Sequence, residues 1–247
     1  MKKHSIWVSF FAFMTLGTFV QAQEKELHHY LSLEDVASSL ELLPPPPAVN
    51  SILFLNDEAQ YRWGKMQRPT PRGDQAVSDA RLYGDGVAKS FSEAFGMTIS
   101  KEGTPEIYKL ISHFREDAGD YATRSAKEHY MRMRPFTFYN EDTCNTEQQQ
   151  GLSTNGSYPS GHTAIGWATA LVLAEINVER QNEILKRGYE IGQSRVICGY
   201  HFQSDVDAGR LVASAVVARL HANKEFMNQL NKAKAEFAKL SGRSGNR

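Results

Sequence analysis

Apolar positions recur at helical spacing through most of the chain. Ile107, Leu110, Ile111 and Phe114 fall at the i, i+3, i+4, i+7 positions of one helix face. Thr70-Pro71 and Thr104-Pro105 each read as an N-cap followed by proline at the first helical position. The pattern predicts a helix over Asp117 to Met133 that stops at Pro135, because the residue before a proline disfavours helical backbone. His162 to Ile176 is apolar all round and predicts a core helix. Asn177 can cap the next helix, from Val178 to about Ile197. Val206, Gly209, Ala213, Val216, Val217 and Leu220 line one face of a third helix, and an amphipathic helix closes the chain from about Lys224 to Leu240. No run alternates with the period of a strand, and no internal repeat is present. The class is all-α, a compact helical bundle.

The interruptions are as informative. Pro44 to Pro47 cannot be helical and predicts an extended strap on the surface. Glu141 to Ser157 is rich in Gln, Asn, Thr and Gly and reads as a long loop, the kind that in a compact domain serves function, here as a lid. The stretch through His28 and His29 reads as loose. Lys2 and Lys3 precede an apolar run from Ile6 to Val20, and Val20-Gln21-Ala22 fits a small-residue cleavage site. Residues 1–22 therefore read as a signal peptide. The run is short for a bilayer span, which needs about 20 apolar residues. No later segment reads as a span. The expectation is a single mature domain, 23–247, exported to the periplasm or secreted.

Composition narrows the function. Apolar residues make up 41% of 247, enough for a sizeable core. Lys+Arg and Asp+Glu are both 28. A near-zero net charge argues against a nucleic-acid partner, which calls for a strongly basic face. Any cation cluster must be local and serve a small anion. Two cysteines, Cys144 and Cys198, suit an oxidising compartment, as a disulfide or as buried thiols.

Three segments could carry chemistry. Lys127 and Arg134 are seven residues apart, two turns of the predicted helix, so both project from nearly one face about 10 Å apart. Two such cations can grip an anion, and the guanidinium fork suits phosphate oxygens. Pro159-Ser160-Gly161-His162 opens the most apolar helix. A helix N-terminus offers free N–H groups and partial positive charge, Gly161 permits close backbone approach, and Ser160 serves as N-cap or as an extra donor. His162 would stand beside the anion. Arg195 adds a second fork, and His201 and Asp205, four apart, can pair. A carboxylate on one imidazole nitrogen fixes the tautomer and leaves the other nitrogen its lone pair.

Lys127-x6-Arg134-Pro135, Pro159-Ser160-Gly161-His162 and Ser194-Arg195-x5-His201-x3-Asp205 together resemble the three-part signature of the type 2 phosphatidic acid phosphatase (PAP2) superfamily. Within it the chain resembles the bacterial class A non-specific acid phosphatases, most closely over a core of about 100–240. The resemblance implies that Lys127, Arg134 and Arg195 hold phosphate oxygens and that Ser160 and Gly161 complete the cradle. It implies His201 as the nucleophile that forms a phosphohistidine, Asp205 as its orienting carboxylate, and His162 as acid and then base. It implies no metal and no cofactor, and broad hydrolysis of phosphomonoesters with transfer to other alcohols. It leaves a homodimer open.

Positioning and electrostatics dominate phosphoryl transfer. Three cations and a helix N-terminus can supply what Mg²⁺ supplies elsewhere. A charged His162 and a neutral His201 predict a bell-shaped profile on the acid side of neutrality. Vanadium haloperoxidases resemble the same superfamily, a binding protein could hold phosphate without turnover, and lipid phosphatases share the signature. The short chain, the paired imidazoles and the lack of spans argue against each in turn. A metal on His201, Asp205 and His162 would be repelled by the cations. Cys144–Cys198 pairing would tie the 141–156 loop beside His201. Tyr158, Tyr200 and Phe202 are candidates for a wall that stacks aromatic leaving groups, or for core. Asn155-Gly156-Ser157 fits a glycosylation sequon that the loop does not need. His28, His29, His113 and His221 read as bystanders.

Overall fold

The computed structural model describes residues 29–242, and the segment read as a signal peptide lies outside them. Among the described residues the regular structure is helical, with no strand. The helices are α1 (Ser39–Leu42), α2 (Ile52–Gln67), α3 (Pro71–Asp79), α4 (Gly86–Phe95), α5 (Pro105–His113), α6 (Ala122–Tyr130), α7 (Pro135–Phe138), α8 (Gln149–Ser153), α9 (Gly161–Ile176), α10 (Gln181–Ile197), α11 (Gln203–His221) and α12 (Lys224–Leu240). None of them is long and apolar enough to cross a membrane.

α9 is the centre. Ala164, Ala168, Ala170, Val172 and Leu173 are fully buried, and the helix packs between α10 and α11. A helix with no polar face must be enclosed, which is why its N-terminus ends inside the protein. α5 and α12 pack together to one side. There the Glu236 carboxylate accepts from the backbone N–H groups of Glu106 (3.1 Å) and Ile107 (2.9 Å). A remote carboxylate thus caps α5 and complements its dipole.

Several sequence expectations change. Thr70 and Thr104 stand at the N-cap positions of α3 and α5, each followed by proline as expected, but Thr104 does not cap α5 with its hydroxyl, which instead pairs with Ser100. The Thr70 hydroxyl likewise turns back to the Gln67 carbonyl at 2.7 Å. Asn177 sends its amide to the Phe95 carbonyl (2.8 Å) rather than capping α10, and a 3₁₀ turn, Val178–Arg180, comes first. The predicted helix over Asp117 to Met133 is a π-helical turn, Asp117–Tyr121, followed by α6, and it ends at Tyr130. Met131 takes a left-handed conformation at φ 41°. That reversal frees Arg132 and Arg134 to point inward. The predicted loop contains a 3₁₀ turn (Thr146–Gln148) and α8. His29 is fixed, 2.7 Å from Asp117 and stacked on Tyr121. The proline segment lies outside regular structure, and the Tyr158 hydroxyl donates to the Pro44 carbonyl at 2.8 Å.

Candidate active site

A pocket of about 280 Å³ opens above the N-terminus of α9. Its lining includes Lys127, Arg134, Gly161, His162, Arg195 and His201. Ser160 and Asp205 are buried behind that lining. All eight signature residues therefore meet at one place, though not always by the predicted route. Lys127 and Arg134 do not share a helix face. Lys127 lies on α6, while Arg134 is the extended residue before Pro135 (φ −77°, ψ 153°), turned inward after the helix has ended.

Each cation is held differently. The Lys127 ammonium donates to the carbonyls of Gly156 (3.1 Å) and Pro159 (2.7 Å). Arg134 donates from Nε to the Asn155 carbonyl at 3.0 Å and from Nη2 to the Asn155 side-chain oxygen at 3.2 Å. Arg195 is buried, and none of its three guanidinium nitrogens has a hydrogen-bond partner. It lies over the Tyr200 ring at 4.1 Å. Burial, reinforced by Arg134, lowers the Lys127 ammonium to about 7. Burial also lowers Arg134 and Arg195 to about 10, which still leaves both cationic at neutral pH.

The α9 N-terminus supplies the floor. Ser160 is the N-cap, and its oxygen accepts from the Thr163 N–H (3.3 Å) and hydroxyl (2.8 Å). Both contacts use the Ser160 oxygen as acceptor, so its own proton stays available. A Cβ on Gly161 would stand 2.5 Å from the Gly119 carbonyl oxygen. Only glycine lets the π-helical turn approach the start of α9 this closely.

The imidazoles are oriented by opposite means. Arg134 Nη1 donates to His201 Nε2 at 3.0 Å. Arginine has no acceptor, so Nε2 must carry a lone pair and the ring proton must sit on Nδ1. Nδ1 faces the Asp205 carboxylate at 3.5 Å and Ser157 Oγ at 3.3 Å. Ser157 donates to Asp205 at 2.5 Å. His201 and Asp205 are not a pair within one helix. His201 precedes α11, and the Asp205 carboxylate, in the first turn of that helix, accepts from the Phe202 N–H at 2.8 Å. Gly199, at φ 79°, ends the preceding helix so that the chain can turn through His201. His162 is held by a hydrogen bond to the Ala80 carbonyl, while its Nε2 has no partner. Burial, then Arg195 and His201, push the His162 pKa well below its usual value. Burial and Arg134 do the same to His201. Burial alone would raise Asp205, but Arg132, His201 and Ser157 more than offset it and hold the carboxyl well below the usual range.

Sequence reasoning missed several neighbours. Tyr83, Glu116, Asp120, Leu152 and Asn155 also line the pocket. Tyr83 stands edge-on to His162, with ring centroids 5.8 Å apart. It comes from a stretch with no motif, so no local signal marks it. Tyr158, Tyr200 and Phe202 are buried and form no stacking wall. The segment read as a lid supplies one wall instead, through Gly151, Leu152 and Asn155. Cys144 and Cys198 are joined as a disulfide, which ties the base of that wall to the end of α10.

Residues 118–227 match the family model described as the PAP2 superfamily. The chain is 66% identical to a non-specific acid phosphatase of Providencia stuartii over 212 residues, 86% of each chain. It is 41% identical to a non-specific acid phosphatase of Salmonella typhimurium, covering 94% of this chain and 92% of the relative. An acid phosphatase of Zymomonas mobilis is 36% identical over 80% of this chain and 74% of the relative. The matched family segment contains the five cationic and imidazole side chains of the pocket, and the likeness to whole relatives extends well beyond it, so the chain belongs to the PAP2 superfamily, among its bacterial non-specific acid phosphatases.

Proposed function

We propose that the protein is an exported acid phosphatase that hydrolyses phosphate monoesters through a phosphohistidine on His201. The observation that carries this reading is Arg195. A buried guanidinium without a hydrogen-bond partner, lining one pocket with His162, His201, Lys127 and Arg134, calls for an anion with several oxygens. The relatives' names supply the reaction class.

In the first step the His201 Nε2 lone pair attacks phosphorus. The N–P bond forms as the ester P–O bond breaks, and the leaving oxygen takes a proton from His162 Nε2. Asp205 holds the Nδ1 proton and stabilises the cation that develops on the ring. In the second step His162 Nε2 takes a proton from water, the water oxygen attacks phosphorus, and the N–P bond breaks. Phosphate leaves, His201 is neutral and His162 is protonated again. Lys127, Arg134, Arg195 and the α9 N-terminus hold the equatorial oxygens throughout. An alcohol in place of water would give phosphotransfer.

Export is part of the proposal, supported by the signal-like segment at residues 1–22 and by the disulfide. The decisive test is hydrolysis of p-nitrophenyl phosphate by the wild type and by His201→Ala, with acid-quench trapping of phosphohistidine. The expected result is turnover and a trapped adduct in the wild type and neither in the variant. Turnover that survives His201→Ala would overturn the mechanism. Sequencing the N-terminus of the exported protein should give Gln23 as the first residue.

A further inference from the structure

Arg132 lies at the back of the site. Its Nη1 donates to Asp205 Oδ1 (2.5 Å) and Ser204 Oγ (2.7 Å), and its Nη2 donates to Asp57 Oδ2 at 2.8 Å. Asp57 comes from α2, well outside the matched family segment, and is fully buried. It also accepts from the Ser204 N–H (2.8 Å) and hydroxyl (2.6 Å). The guanidinium is sandwiched near Phe202 (4.5 Å) and Phe54 (6.0 Å), which fix its plane. Three donors converge on Asp57, so it acts as a carboxylate. Two carboxylates around one guanidinium leave the cluster one net negative charge beside His201.

We infer that Asp57 and Arg132 are positioning residues for the reaction: together they aim the Asp205 carboxylate at His201 Nδ1 and set how much negative charge His201 feels. The inference rests on the reading of His201 as nucleophile. Arg132 alone would neutralise Asp205 and deprive the phosphorylated ring of its counter-charge. Asp57 restores that charge by sharing Arg132. The fork geometry matters as well, since one planar guanidinium reaches both carboxylates and a lysine cannot. The groups around the pocket that face His201 are Arg134, Arg195 and His162, with Lys127 acting on Asp205; the carboxylates of Glu116 and Asp120 also line the pocket, but each is already paired, with Arg115 and Arg124. None of them can replace the charge that Asp57 supplies.

Asp57→Asn is nearly isosteric and keeps an oxygen for Ser204. It takes the cluster from one net negative charge to zero. Its expected effect is a fall in kcat of about tenfold, the equivalent of roughly one pKa unit of lost interaction. KM should hold within about twofold, because the residues gripping phosphate are untouched. The acid limb of kcat/KM should move to lower pH, since His201 becomes harder to protonate. Arg132→Lys keeps the charge but loses the fork, and should lower kcat while sparing KM. The ring ¹⁵N shifts of His201 in the free enzyme give a readout that needs no turnover. They should report the Nδ1–H tautomer in the wild type and a mixture in Arg132→Lys. Wild-type kcat, acid limb and ring shifts in folded variants would overturn the inference. If Asp57→Asn fails to fold, Arg132→Lys decides by the same measures. Failure to trap phosphohistidine in the wild type would sink the proposed mechanism, whereas unchanged ring shifts sink only this inference.

Discussion

Lys127 and His162 share a burden in the proposed mechanism: both would be charged when substrate is bound, yet burial disfavours their charged forms. In the free enzyme burial, reinforced by Arg134, holds the Lys127 pKa down to about 7. Its charge, and so its grip on an anion, is present below that value and fades above it. Sulfate stays a dianion across this range and makes a clean probe. Its inhibition constant should rise above about pH 7, by up to about tenfold per pH unit. Lys127→Met should raise the constant throughout and remove that limb. For His162 the depressing cations are offset once a phosphate dianion lies beside Arg195, so its pKa should climb on binding. The basic limb of kcat should therefore sit at higher pH than that of kcat/KM. Coincident limbs would show that His162 is not the acid.

At the scale of elements, the apolar periodicity was legible and the route of the chain between helices was not. α9, α11 and α12 follow their patterns closely, because a face or a whole surface of each must be buried. Lys127 and Arg134 were legible as a pair, but their helix face was not. After the break at Met131, Arg132 turns inward to Asp57 and Asp205, distant carboxylates that nothing local in the sequence announces. Thr104 stands at the N-cap position as expected, but its hydroxyl does not do the capping, for a related reason. Glu236 reaches α5 from the far end of the chain, and nothing local at Thr104 announces it. Tyr83 and Asn155 reach the pocket from stretches without periodicity. The contact between the π-helical turn and α9 carries a prediction of its own. Gly161→Ala pushes a methyl against the Gly119 carbonyl, which is backbone and cannot rotate away. The expected cost is about 1–3 kcal/mol in denaturant unfolding, with weaker sulfate binding because the α9 N–H groups shift. A variant of wild-type stability and affinity would show that the two segments separate freely.

Across the whole molecule, the matched family segment, 118–227, is braced by chain from outside it. α2 inserts Asp57 behind Asp205, and Arg68, just beyond that helix, donates to the Ile197 carbonyl at 2.8 Å and to the Asp142 carbonyl at 2.9 Å. The Cys144–Cys198 bridge ties together the same two strips of backbone and spans 54 residues. Its Cys144 N–H also donates to the Cys198 carbonyl at 3.1 Å. Closing a loop of that length removes denatured-state entropy worth about 4 kcal/mol in the chain-entropy model. Cys144→Ser combined with Cys198→Ser should therefore lower Tm by roughly 10 °C, given the size of the chain. The pocket wall hangs from this bridge, and Asn155 on that wall holds Arg134 by two hydrogen bonds. A loosened wall should misplace Arg134 directly and His201 only through Arg134, because the other partners of His201 are Asp205 on α11 and Ser157. KM for p-nitrophenyl phosphate should rise more than kcat falls. A double variant with reduced Tm but unchanged KM would separate the bridge's effect on stability from any effect on the site. An unchanged Tm would mean that Arg68 and the α2 contacts alone hold the wall.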